Sequence, residues 1–120
     1  MSDYRFERLD PRSAPDAALE EYWRLSEALR AERTPDDPPV PFGVFAGRFR
    51  GAAPYREFVA HVARAPGEPG LVGVAMLGVE QIEQNAHVAQ LDLGVLAAHR
   101  RRGLGRRLLG LAAESARAWE

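Results

Sequence analysis

The sequence predicts a mixed α/β fold in which a central, mostly antiparallel sheet is flanked by helices. Three observations indicate this class: runs rich in Val alternate with stretches of helical apolar spacing, turns rich in Gly and Pro separate them, and the elements follow the order β-α-α-β-β-β-α. The chain has 120 residues, of which 46% are hydrophobic and 28% are charged, as is ordinary for a globular protein. This length suits a single domain spanning residues 1–120 and leaves no room for a second.

The N-terminal third predicts one strand and two helices. Tyr4, Phe6 and Leu9 indicate a short strand, and Ser13 in the following turn is a candidate helix cap. Helical spacing then extends over residues 16–33, until TPDDPP ends the helix. In PFGVFAGRFRG three phenylalanines share one helical face, which predicts a short second helix. We favour packing against the sheet for these rings, with partial exposure to a substrate as the alternative. They are Phe42, Phe45 and Phe49.

The middle of the chain predicts an antiparallel meander of three strands. REFVAHVAR and LVGVAMLGV are rich in Val and are separated by APGEPG, which is typical of a β-hairpin. A second connection around EQIEQN leads to AHVAQLDLGV. Because side chains alternate between the faces of a strand, this last strand has one apolar and one mixed face. The apolar face carries Ala89, Leu91, Leu93 and Val95, and the mixed face carries Val88, Gln90, Asp92 and Gly94.

The end of the chain predicts an amphipathic helix. Apolar residues recur at helical spacing and should be buried, whereas Arg106, Arg107, Glu114 and Arg117 lie nearer solvent. The predicted buried stripe consists of Leu104, Leu108, Leu111, Ala112, Ser115 and Trp119.

A glycine-containing loop, RRRGLG at residues 100–105, connects the last strand to this helix. Glycines at 103 and 105 allow the backbone to approach a bulky anion, and the helix N-terminus directs N–H groups at it. This arrangement predicts a phosphate pocket, with a solvated arginine run as the alternative. All sixteen basic residues are Arg, which excludes a nucleotide-binding loop that needs Gly-Lys, and the third glycine of a dinucleotide fingerprint is missing.

With this loop, the chain resembles the GCN5-related N-acetyltransferases (GNAT), whose signature is Arg or Gln, two residues, Gly, one residue, then Gly or Ala. The stretch LDLGVLAAHRRRGLGRRLL is similar to the family's fourth strand, turn and pyrophosphate-binding helix. Ala97 stands where the family usually has proline, which implies a looser turn. The resemblance implies an enzyme that moves an acetyl group from acetyl-CoA to a primary amine of a small molecule or peptide. The alternative is an inactive, CoA-binding module or a fragment that needs a partner segment.

The resemblance also implies which groups bind acetyl-CoA. Main-chain amides of the loop would hold the pyrophosphate, and the backbone near Leu93 and Val95 would pair with the pantetheine arm. The full expected set is Leu93, Val95, Arg100, Arg101, Arg102, Gly103, Leu104, Gly105 and Arg106.

Asp92 is the candidate general base, because an acid on the mixed face of the last strand could accept a proton through water. The alternative is an aspartate paired with a neighbouring arginine or solvated at the sheet surface. Gln90 shares its face and could position an amine, whereas His99 is more consistent with a turn residue. Tyr4, Tyr22 and Tyr55 all precede the loop, so we do not assign them the role of the family's later tyrosine acid.

In the family, further strands and a helix follow this point of the fold. We therefore expect residues 1–120 to be a single acetyltransferase-like domain that is C-terminally incomplete. The PDDPP layout is similar to tandem members, which favours a fragment of a longer protein; completion by another copy and retention of binding alone are the alternatives. An unpaired fourth strand would be an edge prone to association, so a homodimer or a second GNAT domain is an expected partner.

Composition excludes several other classes. The absence of cysteine excludes disulfides, thiolate zinc sites and a cysteine nucleophile, and the three histidines are too scattered for a metal motif. Net charge is −1, and no aromatic residue lies among the arginines of residues 100–107, so nucleic-acid binding is the weakest alternative. The N-terminus does not resemble a signal peptide, and the longest apolar run, residues 71–79, is too short to span a bilayer. These observations predict a cytoplasmic protein without membrane or nucleic-acid partners.

Overall fold

Within residues 3–82 and 85–118, which the computed structural model describes, strands and helices follow the predicted order β-α-α-β-β-β-α. A short 3-10 turn, Ala97–His99, precedes the last helix. The elements are β1 (Arg5–Leu9), α1 (Asp16–Arg33), α2 (Phe42–Arg50), β2 (Arg56–Arg64), β3 (Leu71–Ile82), β4 (Asn85–Val95) and α3 (Leu104–Ala118).

The strands form one antiparallel sheet in the order β1-β2-β3-β4. The predicted meander is therefore confirmed, and β1 pairs with β2 through contacts such as Leu9 with Ala60. β4 pairs with β3, for example Leu93 with Ala75. No strand of the described residues pairs with the other side of β4, which makes β4 an edge strand.

Helices cover both faces of this sheet. α1 and α2 pack on one face, where Leu25, Phe45 and Met76 belong to the same buried cluster. α3 packs on the opposite face, where Leu108 and Val72 belong to a second buried cluster. Each helix buries an apolar stripe against its face of the sheet. This packing positions the C-terminus of α1 and the N-terminus of α3 relative to β4.

The phenylalanines of α2 serve mainly as core residues. Phe45 and Phe49 are buried, and their rings lie 5.0 and 5.9 Å from that of Tyr22. Phe42 is partly buried against Trp23, with ring centroids 5.8 Å apart. Packing against the core is thus the interpretation that the structure supports.

The predicted cap of α1 was wrong. Pro15, not Ser13, occupies the N-cap position, and it makes no side-chain cap hydrogen bond. The Ser13 N–H instead donates to the Asp10 carbonyl at 3.2 Å, within a turn stabilised by the Asp10 carboxylate. The turn extends past Ser13 because Pro15 has the extended backbone that suits the residue before a helix.

Two other predictions require qualification. The pairing of β4 with β3 is regular from Gln90 to Val95, and a register shift between Gly78 and Val79 leaves Ala89 without a β3 partner. The side chains of Val88 and Ala89 lie outside the described residues. In α3, Leu104, Leu108, Ala112 and Ser115 are buried and Leu111 is partly buried, whereas Trp119 and part of the EQIEQN connection lie outside the described residues.

Among the described helices, none has the length and apolarity needed to cross a membrane.

Candidate functional site

The outer edge of β4 presents backbone groups that no described strand pairs with. The N–H of Leu96 donates to the carbonyl of Val72 at 2.9 Å. Because residues of an antiparallel strand alternately face their neighbour and the opposite edge, this register directs the peptide groups of Gly94 towards β3. Those of Leu93 and Val95 consequently point away from β3, along an edge that no described strand covers. These are the two residues expected to pair with a pantetheine arm.

Two arginines reach the carbonyls of this edge. The Arg33 Nη2 donates to the Leu93 carbonyl at 2.9 Å, and the Arg100 Nε donates to the Val95 carbonyl at 3.0 Å. Both contacts come from outside the sheet, which agrees with the outward direction of the two peptide groups. Each carbonyl oxygen has a second lone pair, and the Leu93 and Val95 N–H groups lie on the same edge.

The turn after β4 is held by Glu32 at the end of α1. The Glu32 carboxylate accepts hydrogen bonds from the Ala97 N–H at 3.1 and 3.2 Å and from Arg100 Nη2 at 3.0 Å. A proline at position 97 would lack this N–H. The looser turn that the sequence implied is therefore replaced by a turn that α1 ties down.

The loop after this turn adopts left-handed backbone at two positions. Arg101 has φ 66° and Gly103 has φ 76°, a region that costs an L residue energy but suits glycine. A Cβ at Gly105 would lie 3.8 Å from Val95 Cγ2, so only ordinary contact would follow from a methyl group there. Glycine at 103 is needed for backbone conformation, whereas glycine at 105 leaves space beside the helix.

α3 begins immediately at Leu104, and the first N–H groups of a helix have no partner within it. The N–H groups of Leu104, Gly105 and Arg106 therefore point out of the helix end, while the Arg107 N–H donates to the Gly103 carbonyl at 3.1 Å. Arg100, Arg101, Arg102 and Arg106 have exposed side chains around this end. Free N–H groups, positive charge and the helix dipole together favour an anion such as pyrophosphate.

A hydrogen-bonded chain beneath the loop fixes its position. His99 is 8% exposed; its Nδ1 lies 2.8 Å from the Tyr4 hydroxyl and its Nε2 lies 2.5 Å from Glu68 Oε2. The Tyr4 hydroxyl also accepts from Arg102 Nη1 at 3.3 Å. His99 thus lies in a turn, as predicted, and it links the loop to the residue before β1 and to the β2–β3 turn. The roles of Tyr4 and Glu68 had no local signal in the sequence.

Asp92 lines a cleft of about 280 Å³ between α1 and β4. Gln90 lies on the same face and donates from Nε2 to Asp92 Oδ2 at 2.8 Å, as their spacing predicted. Tyr22 and Arg33 of α1 line the same cleft. Burial raises the pKa of the Tyr22 hydroxyl well above its ordinary value of 10.0, and the charge of Asp92 acts in the same direction. Tyr22 therefore presents a neutral hydroxyl beside an ionisable carboxylate.

The loop and Asp92 lie at two ends of one path along β4. Asp92 is on the face covered by α1, and the outward peptide groups of Leu93 and Val95 lead from it to the turn. His99 contacts Tyr4 on the other side of the turn and does not line the Asp92 cleft. Tyr22 and Arg33 were missed as site residues because they follow the apolar and charged periodicity of an ordinary helix. No described group of three or more His, Asp or Glu side chains is arranged to hold a metal ion.

Comparison with known families agrees with this geometry. The model of the family described as "Acetyltransferase (GNAT) family" matches residues 17–120. The chain belongs to the acetyltransferase (GNAT) family. GNAT proteins generally use acetyl-CoA.

Solved GNAT structures share this fold. A tandem GNAT protein from the clavulanic acid biosynthesis pathway has a TM-score of 0.70 and 31% identity; the match covers 96% of this chain and 33% of that chain. The chain thus spans about a third of the length of that tandem protein. An aminoglycoside acetyltransferase from an uncultured soil metagenomic sample has a TM-score of 0.58 and 25% identity, covering 98% of this chain and 74% of that chain.

A third structure shows the fold alone. The ribosomal-protein-alanine N-acetyltransferase of Brucella melitensis biovar Abortus 2308 has a TM-score of 0.60 and 20% identity, covering 96% of this chain and 72% of that chain. A comparison with curated proteins found no match.

Proposed function

We propose that this GNAT chain transfers an acetyl group from acetyl-CoA to a primary amine of a small molecule or peptide. The observation that carries the proposal is the continuity of the β4 edge with the phosphate loop. The outward peptide groups of Leu93 and Val95 lead directly to the free N–H groups at the start of α3. A long ligand with amide groups at one end and a pyrophosphate at the other suits this sequence of contacts.

The residues present fit acetyl-CoA. The amides of Arg102, Gly103, Gly105 and Arg106 would hold the pyrophosphate, since left-handed Gly103 lets the backbone curve around an anion. The N–H groups of Leu93 and Val95 would pair with carbonyls of the pantetheine arm. The side chains of Arg100, Arg101 and Arg102 would add positive charge, and Leu104 completes the first turn of the helix.

Asp92 is the proposed general base. Acetyl-CoA, when bound, supplies the thioester acetyl group. Asp92 would accept, directly or through a water molecule, the proton that the amine loses as its nitrogen bonds to the acetyl carbon. The carbon–sulfur bond then breaks, and the sulfur leaves with the bonding electrons as the CoA thiolate, which takes a proton from water to give the released thiol. Gln90 orients the Asp92 carboxylate through their 2.8 Å hydrogen bond. The neighbouring Tyr22 hydroxyl stays protonated and can donate a hydrogen bond to charge that develops in the cleft.

Calorimetric titration with acetyl-CoA tests the binding half of the proposal. We expect the unmodified protein to bind and the double variant Gly103→Leu, Gly105→Leu to lose binding. Gly110→Leu is the matched control, because Gly110 lies in the same helix and nothing lies within 4 Å of a Cβ placed there. Failure of the unmodified protein to bind would contradict the proposal.

Thiol release with a panel of amines tests the catalytic half. An enzyme releases CoA only when an acceptor is present, whereas a CoA-binding module binds without release. Asp92→Asn should lower kcat by roughly 100-fold or more if Asp92 is the base, and most at low pH, where fewer amines are already deprotonated. Asp36→Asn, in the exposed loop after α1, is the control. If Asp92→Asn and the unmodified protein had the same kcat at every pH, Asp92 would not be the general base.

The outer edge of β4, which is paired with no strand of the described residues, supports a further strand from a second copy or a second GNAT domain as the partner. The likeness to a tandem GNAT protein is consistent with a second domain. The cytoplasm remains the expected compartment, and cell fractionation would test it.

A further inference from the structure

Two opposite charges line the Asp92 cleft without pairing. Asp92 and Arg33 both border it, yet no ion pair within 4.0 Å joins them among the described residues. Arg30, the other arginine of the cleft, is already engaged by Glu27 and by the Asp37 carbonyl. Arg33 is therefore the cation that this cleft can offer to a ligand.

The Arg33 guanidinium is held in place by the backbone of β4. Its Nη2 donates to the Leu93 carbonyl at 2.9 Å, and a Cβ at Gly94 would lie 2.8 Å from the same Nη2. A side chain at position 94 would consequently displace Arg33 from the strand. One N–H of the guanidinium is used by Leu93, and within the part of the chain that the structure describes no other group takes its remaining donors, which can bind an anion.

The distance between the two charges can be estimated from the strand. Asp92 and Gly94 lie on the same face, two residues apart, which corresponds to about 7 Å along an antiparallel strand. A ligand that joins Asp92 to Arg33 spends one hydrogen bond of about 2.8 Å at each end. Little of the distance then remains, so the shortest zwitterion, with its amine and its carboxylate on one carbon atom, comes closest to this spacing.

The size and lining of the cleft also favour a small polar ligand. Its volume of about 280 Å³ is at the lower limit of ordinary small-molecule sites. The side chains of Ser26 and Thr34 add hydroxyl groups to the same wall, beside the buried ring of Tyr22.

We propose that the acetyl acceptor is a small zwitterion, a free α-amino acid or a molecule with the same pair of groups, whose amine binds Asp92 and whose carboxylate binds Arg33. This inference rests on the proposed acetyl transfer, because it names the acceptor of that site. Arg33 acts as a specificity-determining residue: it selects for a carboxylate and takes no part in the proton transfer.

Binding of matched ligands to the full chain provides the test. Free amino acids, their amides and the corresponding decarboxylated amines are titrated by ligand-observed NMR, with and without CoA. We expect amino acids to bind about 10- to 100-fold more tightly than their amides, as charge-assisted hydrogen bonds of an arginine require. Arg33→Gln should abolish this preference without weakening the amides, and Asp92→Asn should weaken all three ligand types. Arg24→Gln, an exposed arginine of the same helix, is the control.

Equal affinity for amino acids and amides, absence of amino-acid binding, or an unchanged preference in Arg33→Gln would overturn the inference. These results are separable from failure of the proposed function, because acetyl-CoA binding and thiol release with other amines are measured independently. If the protein binds acetyl-CoA and acetylates simple amines, but binds ligands equally with and without a carboxylate, the proposed function stands. Only the inference of a zwitterionic acceptor is then overturned.

Discussion

The hydroxyl of Tyr4, at the start of the chain, lies 2.8 Å from Nδ1 of His99 in the turn before the phosphate loop. Glu68 contacts the other imidazole nitrogen at 2.5 Å, so three separate segments converge on one buried side chain. The same hydroxyl accepts a hydrogen bond from Arg102. The loop is therefore positioned by contacts outside its own sequence.

Tyr4→Phe should weaken the fold and the loop together. The variant leaves a buried His99 nitrogen without its partner, which should lower the free energy of unfolding by about 1–3 kcal/mol. It also releases Arg102, which lies at the proposed pyrophosphate site. The affinity for ADP, which carries the pyrophosphate of CoA, should therefore fall. Denaturant unfolding and ADP titration measure the two effects, with Tyr55→Phe as the control because Tyr55 is 48% exposed. Unchanged unfolding would show that the His99 contact contributes nothing.

Gly105→Asp should separate stability from binding. A carboxylate in the first turn of α3 interacts favourably with the helix N-terminus, so the unfolding free energy should stay the same or rise slightly. The same charge repels a pyrophosphate, and affinity for acetyl-CoA should fall by roughly 100-fold or more. Gly110→Asp places the charge farther along the helix and should keep binding. Acetyl-CoA binding that survives Gly105→Asp would place the phosphates elsewhere.

At position 101, a glycine variant should be more stable than an alanine variant. At its φ of 66° an L side chain costs about 1–2 kcal/mol, so Arg101→Gly should be more stable than Arg101→Ala by about that amount. The order should reverse at Glu114, an exposed position inside α3, where alanine is favoured by about 1 kcal/mol. Thermal unfolding of the four variants gives both differences. The same order at both positions would contradict a left-handed Arg101.

Stability should fall as His61 gains a proton. Burial lowers the pKa of His61 below its ordinary value of about 6.5, and Arg8 acts in the same direction, while Glu114 opposes them. Since the unfolded chain then binds more protons than the folded one, the unfolding free energy decreases as the pH drops below about 6.5. His61→Gln should remove this step and keep a hydrogen bond to Ser115, which lies 2.7 Å from His61 Nε2.

Unfolding curves at several pH values provide the measurement for His61. Glu21 supplies an internal comparison, because a hydrogen bond from Arg64 lowers the pKa of Glu21 and its contribution is lost only in acid below its ordinary value of about 4.5. If the unfolding free energies of the wild type and of His61→Gln changed equally between pH values of about 6.5 and about 4.5, the prediction would be contradicted.

The β4 edge should make the isolated chain associate. No described strand pairs with its outer edge, and Leu91 and Leu93 are 47% and 37% exposed beside it. Sedimentation equilibrium should detect dimers or larger species that Leu91→Lys reduces. Val44→Lys, on an exposed position of α2, should leave association unchanged. A monomer at high concentration would be contrary to this expectation.

Local sequence determined the elements and the loop. Apolar spacing predicted α1 over its observed range, Asp16–Arg33, and Gly and Pro marked the hairpin between β2 and β3. Gly103 and Gly105 predicted a loop between strand and helix for the same reason, because glycine changes the backbone where it stands. Ser13 was misassigned because it belongs to the turn that begins at Asp10, and the extended backbone of Pro15 makes Pro15 the N-cap.

Tertiary structure alone decided how the site is assembled. Arg33 meets Leu93 across 60 residues of sequence, Glu32 meets Ala97 across 65, and Tyr4 meets His99 across 95. Each pair depends on which sheet face a helix covers and on the register between strands. Periodicity records that a residue is buried or exposed, but it carries no information on which distant segment it will contact. The elements and the phosphate loop could therefore be read from the sequence, whereas the tie at Ala97, the His99 chain and the Asp92 cleft required the packed fold.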